Sequence, residues 1–180
     1  IQNTDGSDAA NLFANGINTV LGVGGGGLMT IGQMSEIIVL ACMPFLAVKF
    51  SKKTLLCTGL VAYGLRMAIF AYFPTLVPVV IGVALHGICF GCFIFVAFMV
   101  VDEFCSTDIR ATAQNFFNLV IVGVGIIVGS LFATALVGEW AMVDGEMDYS
   151  ALFSVPMWLS LACFVMLLVF YPNLKELQSK

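Results

Sequence analysis

Five long apolar stretches constrain this chain more than any other feature. They run over residues 31–48, 54–73, 77–100, 113–137 and 151–171. Each is about 18–25 residues, the length a helix needs to cross a hydrocarbon core of about 30 Å. Transmembrane strands would be about ten residues long with strict alternation. Runs such as IIVLACMPFLAV and LVIVGVGIIVGSLFATALV are instead apolar on every side. The expected fold class is all-α, a polytopic transmembrane helix bundle of five spans. Composition agrees: 61% of the 180 residues are apolar and only 10% are charged, against about 25% charged in an average soluble domain. A soluble domain, a disordered chain, a basic nucleic-acid binder and a disulfide-rich secreted domain are all excluded.

The connections sort by charge. Lys49, Lys52 and Lys53 lie between spans one and two, Arg110 between spans three and four, and Lys175 and Lys180 after span five. Segments 1–30, 74–76 and 138–150 hold no Lys or Arg, and the last carries Glu139, Asp144, Glu146 and Asp148. The positive-inside rule makes the basic side cytoplasmic. The expected organisation is an extracytoplasmic Gly-rich loop over 1–30, a bundle over 31–171 and a cytoplasmic tail over 172–180. Segment 12–30 carries six Gly and two Asn in nineteen residues, a poor helix by propensity, so it reads as loop. The chain opens on Ile1 with no basic n-region ahead of an apolar stretch. It therefore reads as part of a larger protein.

Sixteen of the eighteen charged side chains fall outside these spans; the exceptions are Glu36 and Arg66. Each costs about 2.5–3.5 kcal/mol at the bilayer centre on insertion scales, so such groups face a cavity or a partner. By helical rise both lie about 8–10 Å from the outer end of their spans, a depth at which they could pair. One reading is a protonatable carboxylate tuned by an arginine; the other is a structural ion pair locking two helices. His86, the only histidine, is about 14 Å deep in span three. It shares a face with Val79, Gly82, Val83, Phe90, Phe93 and Ala97. It reads as a proton relay or solute contact, or else as a packed imidazole.

His86, Cys89 and Cys92 have a superficial metal-ligand spacing. Steps of three on a helix leave the outer two about 120° apart, and no second cluster completes a tetrahedron. Glycine pairs GICFG (87–91) and GIIVG (125–129) have the spacing that allows close helix approach. Gln114 and Asn118 share the span-four glycine face near its cytoplasmic end. Pro44 and Pro156 stand where spans one and five could kink. Tyr63, Phe90 and Phe93 could stack on a planar ligand. No nucleotide-binding loop, nucleophile triad or metalloprotease helix is present, so no enzyme and no cofactor are expected.

Four stretches in order, TIGQMSEI (30–37), LRMAIFAYF (65–73), LHGICF (85–90) and IRATAQNFF (109–117), resemble the C-terminal half of nucleoside:proton symporters of the major facilitator superfamily. The resemblance covers about residues 30–137, with a weaker echo into span five. It implies helices eight to twelve of a twelve-helix rocker-switch carrier in a bacterial inner membrane. Helix seven and an N-terminal half would be the missing partners, with solute held near the midplane between the halves. Its partners would be the bilayer, protons and a small polar solute, with no nucleic acid. The site it implies is Glu36, Arg66, His86, Gln33, Phe90 and Phe93, with Glu36 as the proton-linked carboxylate. This sequence departs from the family pattern at Gly91, where an acidic residue is expected, and at Phe98, where a polar one is. Proton coupling through position 91 cannot operate here. The alternative is a non-transporting relative, a sensor or degenerate carrier, that keeps the fold.

Overall fold

The computed structural model describes residues 15–16 and 25–171; the tail at 172–180 and most of segment 1–30 lie outside them. The described residues form five helices of membrane length: α1 (Gly25–Lys49), α2 (Lys52–Tyr72), α3 (Leu76–Phe104), α4 (Arg110–Gly138) and α5 (Tyr149–Phe170). All five expected spans are present, each with its boundaries moved outward or by a residue or two. The largest shift is at α1, which begins at Gly25, so residues 25–30 are helix and not loop. A bilayer offers no water to unpaired backbone groups, and this overrides the weak intrinsic preference of glycine against helix.

Local chemistry sets the ends. Ser51 N-caps α2, its Oγ accepting from the Thr54 N–H at 3.2 Å. Pro74 follows α2. Asp148 caps α5, its Oδ1 accepting from Ser150 N–H at 2.9 Å and Ala151 N–H at 3.2 Å. The acidic connection before it holds a two-residue hairpin, β1 (Met142–Val143) against β2 (Glu146–Met147), paired Met142↔Met147 and Val143↔Glu146. Its turn is Asp144-Gly145, with φ of 53° and 83°, the two positive angles that a tight hairpin turn of this kind requires. Asp148→Ala should cost about 1 kcal/mol of stability by uncapping α5; the thermal unfolding midpoint in detergent measures it.

The bundle is organised around α3. Helix α1 crosses α3 at Gly87, where a Cβ would lie 2.4 Å from the backbone carbon of Ser35, and at Gly91, 2.6 Å from Val39 Cγ1. Helix α2 crosses it at Gly59, where a Cβ would lie 2.7 Å from Phe93 Cβ. Toward the basic end, Met43, Leu55, Leu56, Cys92 and Val96 close into a buried cluster. Helix α5 packs along α2, and Lys53 Nζ donates to the carbonyls of Leu168 (3.0 Å) and Tyr171 (3.2 Å), closing the C-terminus of α5.

Helix α4 stands at the edge, with only Val137 buried. It is tied down near its ends. Asp102 receives Arg110 Nε at 3.1 Å and Gln114 Nε2 at 3.0 Å, and Phe98 meets Phe117 edge-on at 5.1 Å. Next to this cluster Lys52 pairs with Glu103 across α2 and α3. At the other end its last segment touches α5, and the connection between them closes on itself, the Asp148 N–H donating to Ala141 O at 2.8 Å. Between these ties α4 is π-helical over Leu119–Gly125 and Phe132–Gly138. The two glycine motifs thus part company: Gly87 and Gly91 make helix contacts, whereas a Cβ on Gly129 would meet no other part of the molecule within 4 Å. The large apolar side chains left exposed, Phe45, Val48, Phe116 and Phe170 among them, suit a lipid surround.

Candidate functional site

The site forms where α1, α2 and α3 each bring one ionisable residue to the same depth. Arg66 Nη1 lies 3.0 Å from His86 Nδ1. On the other edge of the ring, His86 Nε2 lies 3.6 Å from Glu36 Oε2. A direct Glu36–Arg66 pair, which equal depth allows, is not what forms. His86 stands between the two, because α1 and α2 each pack on α3. The chain of groups runs carboxylate, imidazole, guanidinium across three helices.

Neighbouring contacts hold each member. Ser35 Oγ donates to the Ala84 carbonyl, pinning α1 to α3 one residue before Glu36. The ladder of α3 changes pitch there: Leu85 separates two helical segments, and a π-helical turn spans Phe90–Phe95. Such π turns recur at functional sites. Gly87, free of a Cβ, admits the backbone of Ser35 and Glu36. The Arg66 guanidinium also lies over the Phe70 ring at 5.4 Å, a favourable cation–π placement in a dry setting. The Nε of Arg66 is buried without a hydrogen-bond partner.

Beside this chain is a cavity of about 420 Å³ between α2, α3 and α5. Arg66, His86, Phe90 and Phe93 line it, with Tyr63 from α2 and Ser160 from α5. Its wall is mainly apolar with a few convergent polar groups, the composition of a small-molecule site. Glu36 is not part of that wall and meets it only through His86; its side chain is 23% exposed. Gln33 is exposed on α1 and is also absent from the wall. Gly91 is buried and turned toward Val39 on α1.

Helix α5 contributes Pro156, Leu159, Ser160 and Cys163 to the cavity, and Ser35 and Gly87 set the crossing; sequence reasoning assigned none of these to the site. A Cβ on Gly64 would sit 2.6 Å from Ser160 Oγ, so this glycine admits α5, a signal visible only once the helices are paired. Among the described residues no group of three or more His, Cys, Asp or Glu could hold a metal ion, and His86, Cys89 and Cys92 do not converge on one.

The described residues thus form a polytopic bundle of membrane-length helices in which three ionisable side chains lie beside an apolar cavity. The chain belongs to the nucleoside H+ symporter family, whose sequence model matches residues 8–176. It is 30% identical over 148 residues to the nucleoside permease NupG of Escherichia coli strain K12, covering 79% of this chain and 34% of that one. YegT of the same organism is 32% identical over 124 residues, covering 66% and 29%. The crystal structure of the nucleoside transporter NupG superposes with a TM-score of 0.77 at 24% identity, over 91% of this chain and 43% of that one. The chain therefore shares its fold with part of that structure, and it spans about a third of the length of the curated relatives it matches.

Proposed function

We propose that this chain is part of a secondary active transporter that takes up nucleosides, or a similar small polar solute, together with protons. Glu36 is the proton-linked carboxylate. Phe90 and Phe93 offer ring faces to a planar base, and Arg66 and His86 supply the polar edge of the cavity. The observation that carries this reading is the chain Glu36–His86–Arg66 at membrane depth, with Glu36 partly exposed and 3.6 Å from His86. Three such groups are expensive within a bilayer and are kept where they handle solute or protons. The positive-inside rule supports a reading in which the Lys49–Lys53 end is cytoplasmic in a bacterial inner membrane and the hairpin is outside.

The non-transporting alternative drew its support from Gly91. The family to which the chain belongs is one of transporters, and Gly91 has a packing role against α1.

The test is Glu36→Gln in the full-length protein, with radiolabelled nucleoside uptake measured with and without an imposed proton gradient. Gradient-driven accumulation should fall about tenfold or more, the loss expected when a coupling interaction of about 1.4 kcal/mol or more disappears, while size-exclusion behaviour stays unchanged. Undiminished accumulation would remove Glu36 from the coupling role.

A further inference from the structure

We infer that Arg66 acts on proton coupling through His86 and not on Glu36 directly: it holds the imidazole as the neutral tautomer protonated on Nε2, so that Glu36 is the group that takes up the proton. This rests on the transport reading above. A guanidinium has five N–H donors, no acceptor, and keeps its charge at any working pH. The 3.0 Å contact between Arg66 Nη1 and His86 Nδ1 is therefore satisfied in one direction only, Arg66 donating and the Nδ1 lone pair accepting. A neutral imidazole carries one N–H, which then sits on Nε2, the atom that faces Glu36 Oε2 at 3.6 Å. A proton arriving at Nδ1 would break the arginine bond and set two cations side by side.

The other groups around the ring do not offer His86 a competing role. Glu36 faces it from α1, and Arg66 and Tyr63 share its surroundings from α2. Cys89 is on its own helix, and from α5 comes Ser160, whose hydroxyl donates to Met157 O at 2.8 Å. His86 is thus a positioning residue that presents a single N–H to the carboxylate. The separation of 3.6 Å is beyond hydrogen-bonding reach, so the bond is not made here, and a small approach of the Glu36 side chain to Nε2 makes a charge-assisted one. A proton from water binds a Glu36 carboxylate oxygen, removes its charge and with it the attraction that draws Glu36 toward Nε2–H. The ring itself gains and loses no proton.

The experiment is ¹⁵N NMR of histidine-labelled full-length protein in lipid nanodiscs at neutral and mildly acidic pH. The spectrum of H86Q is subtracted to isolate His86. Wild type should show an unprotonated Nδ1 and a protonated Nε2 at both pH values. R66M should show mixed tautomers or an imidazolium on acidification, and R66K, which keeps a donor, should return the Nε2–H form. The pH profile of uptake should move in R66M and return in R66K. An Nδ1–H tautomer or an imidazolium in wild type at neutral pH overturns this inference and leaves proton-coupled transport standing. Wild-type uptake indifferent to the proton gradient overturns both.

Discussion

Gly87→Ala should abolish gradient-driven uptake as completely as loss of the Glu36 carboxylate does, although residue 87 carries no functional group. A Cβ there would lie 2.4 Å from the Ser35 carbonyl carbon and 2.5 Å from the Glu36 amide nitrogen. These are backbone atoms, and no rotamer change relieves the overlap. Helix α1 must move away from α3, at a cost of about 1–3 kcal/mol, as for other overpacked contacts. The same movement stretches the Ser35–Ala84 hydrogen bond and takes Glu36 beyond its 3.6 Å approach to His86. Gly129→Ala is the matched control. A Cβ on Gly129 would meet no other part of the molecule within 4 Å, so the methyl group should be tolerated, and helix propensity favours it by about 1 kcal/mol. The two variants are compared by thermal unfolding in detergent and by uptake in proteoliposomes. Equal behaviour of the pair would mean that α1 does not cross α3 at Gly87.

Gly91→Asp, which introduces the acidic residue that the resemblance implies at this position, should damage the protein and not improve it. The new Cβ would lie 2.6 Å from Val39 Cγ1, with Met43 Sδ at 3.9 Å. The carboxylate would enter the apolar α1–α3 contact and not the cavity, since Gly91 is not part of the cavity wall. A charge placed at such depth costs about 2.5–3.5 kcal/mol on insertion scales, and the overlap adds to it. Folded yield and thermal midpoint should both drop. The double variant G91D/V39A, which removes the obstructing methyl groups, should recover part of the loss. A G91D protein as stable as wild type and faster in proton-driven uptake would show that residue 91 faces solute.

These two glycines mark the boundary of what the linear chain reveals. Residues 87–91 and 125–129 have the same spacing, and both read equally well as close-packing motifs. Only the first pair is pressed against a neighbour, because α1 lies on that face of α3, whereas α4 meets the bundle near its two ends. The Asp144-Gly145 turn shows the opposite case. Its conformation is encoded by two adjacent residues that accept positive φ.

The number of membrane-length helices and the side chains that would be costly in a bilayer are legible in the linear chain. Apolar length and backbone hydrogen bonding dictate those features without reference to any neighbour. Glu36, Arg66 and His86 stood out for the same reason, as ionisable groups in a medium that penalises charge. Only the tertiary structure decided who meets whom: His86 between Glu36 and Arg66, α5 in the cavity wall, Gln33 outside it, and Gly91 against Val39. Helical periodicity gives the depth of a residue and its face on its own helix. The rotation of one helix against the next is set by which small residues let backbones approach, and that is a property of the pair.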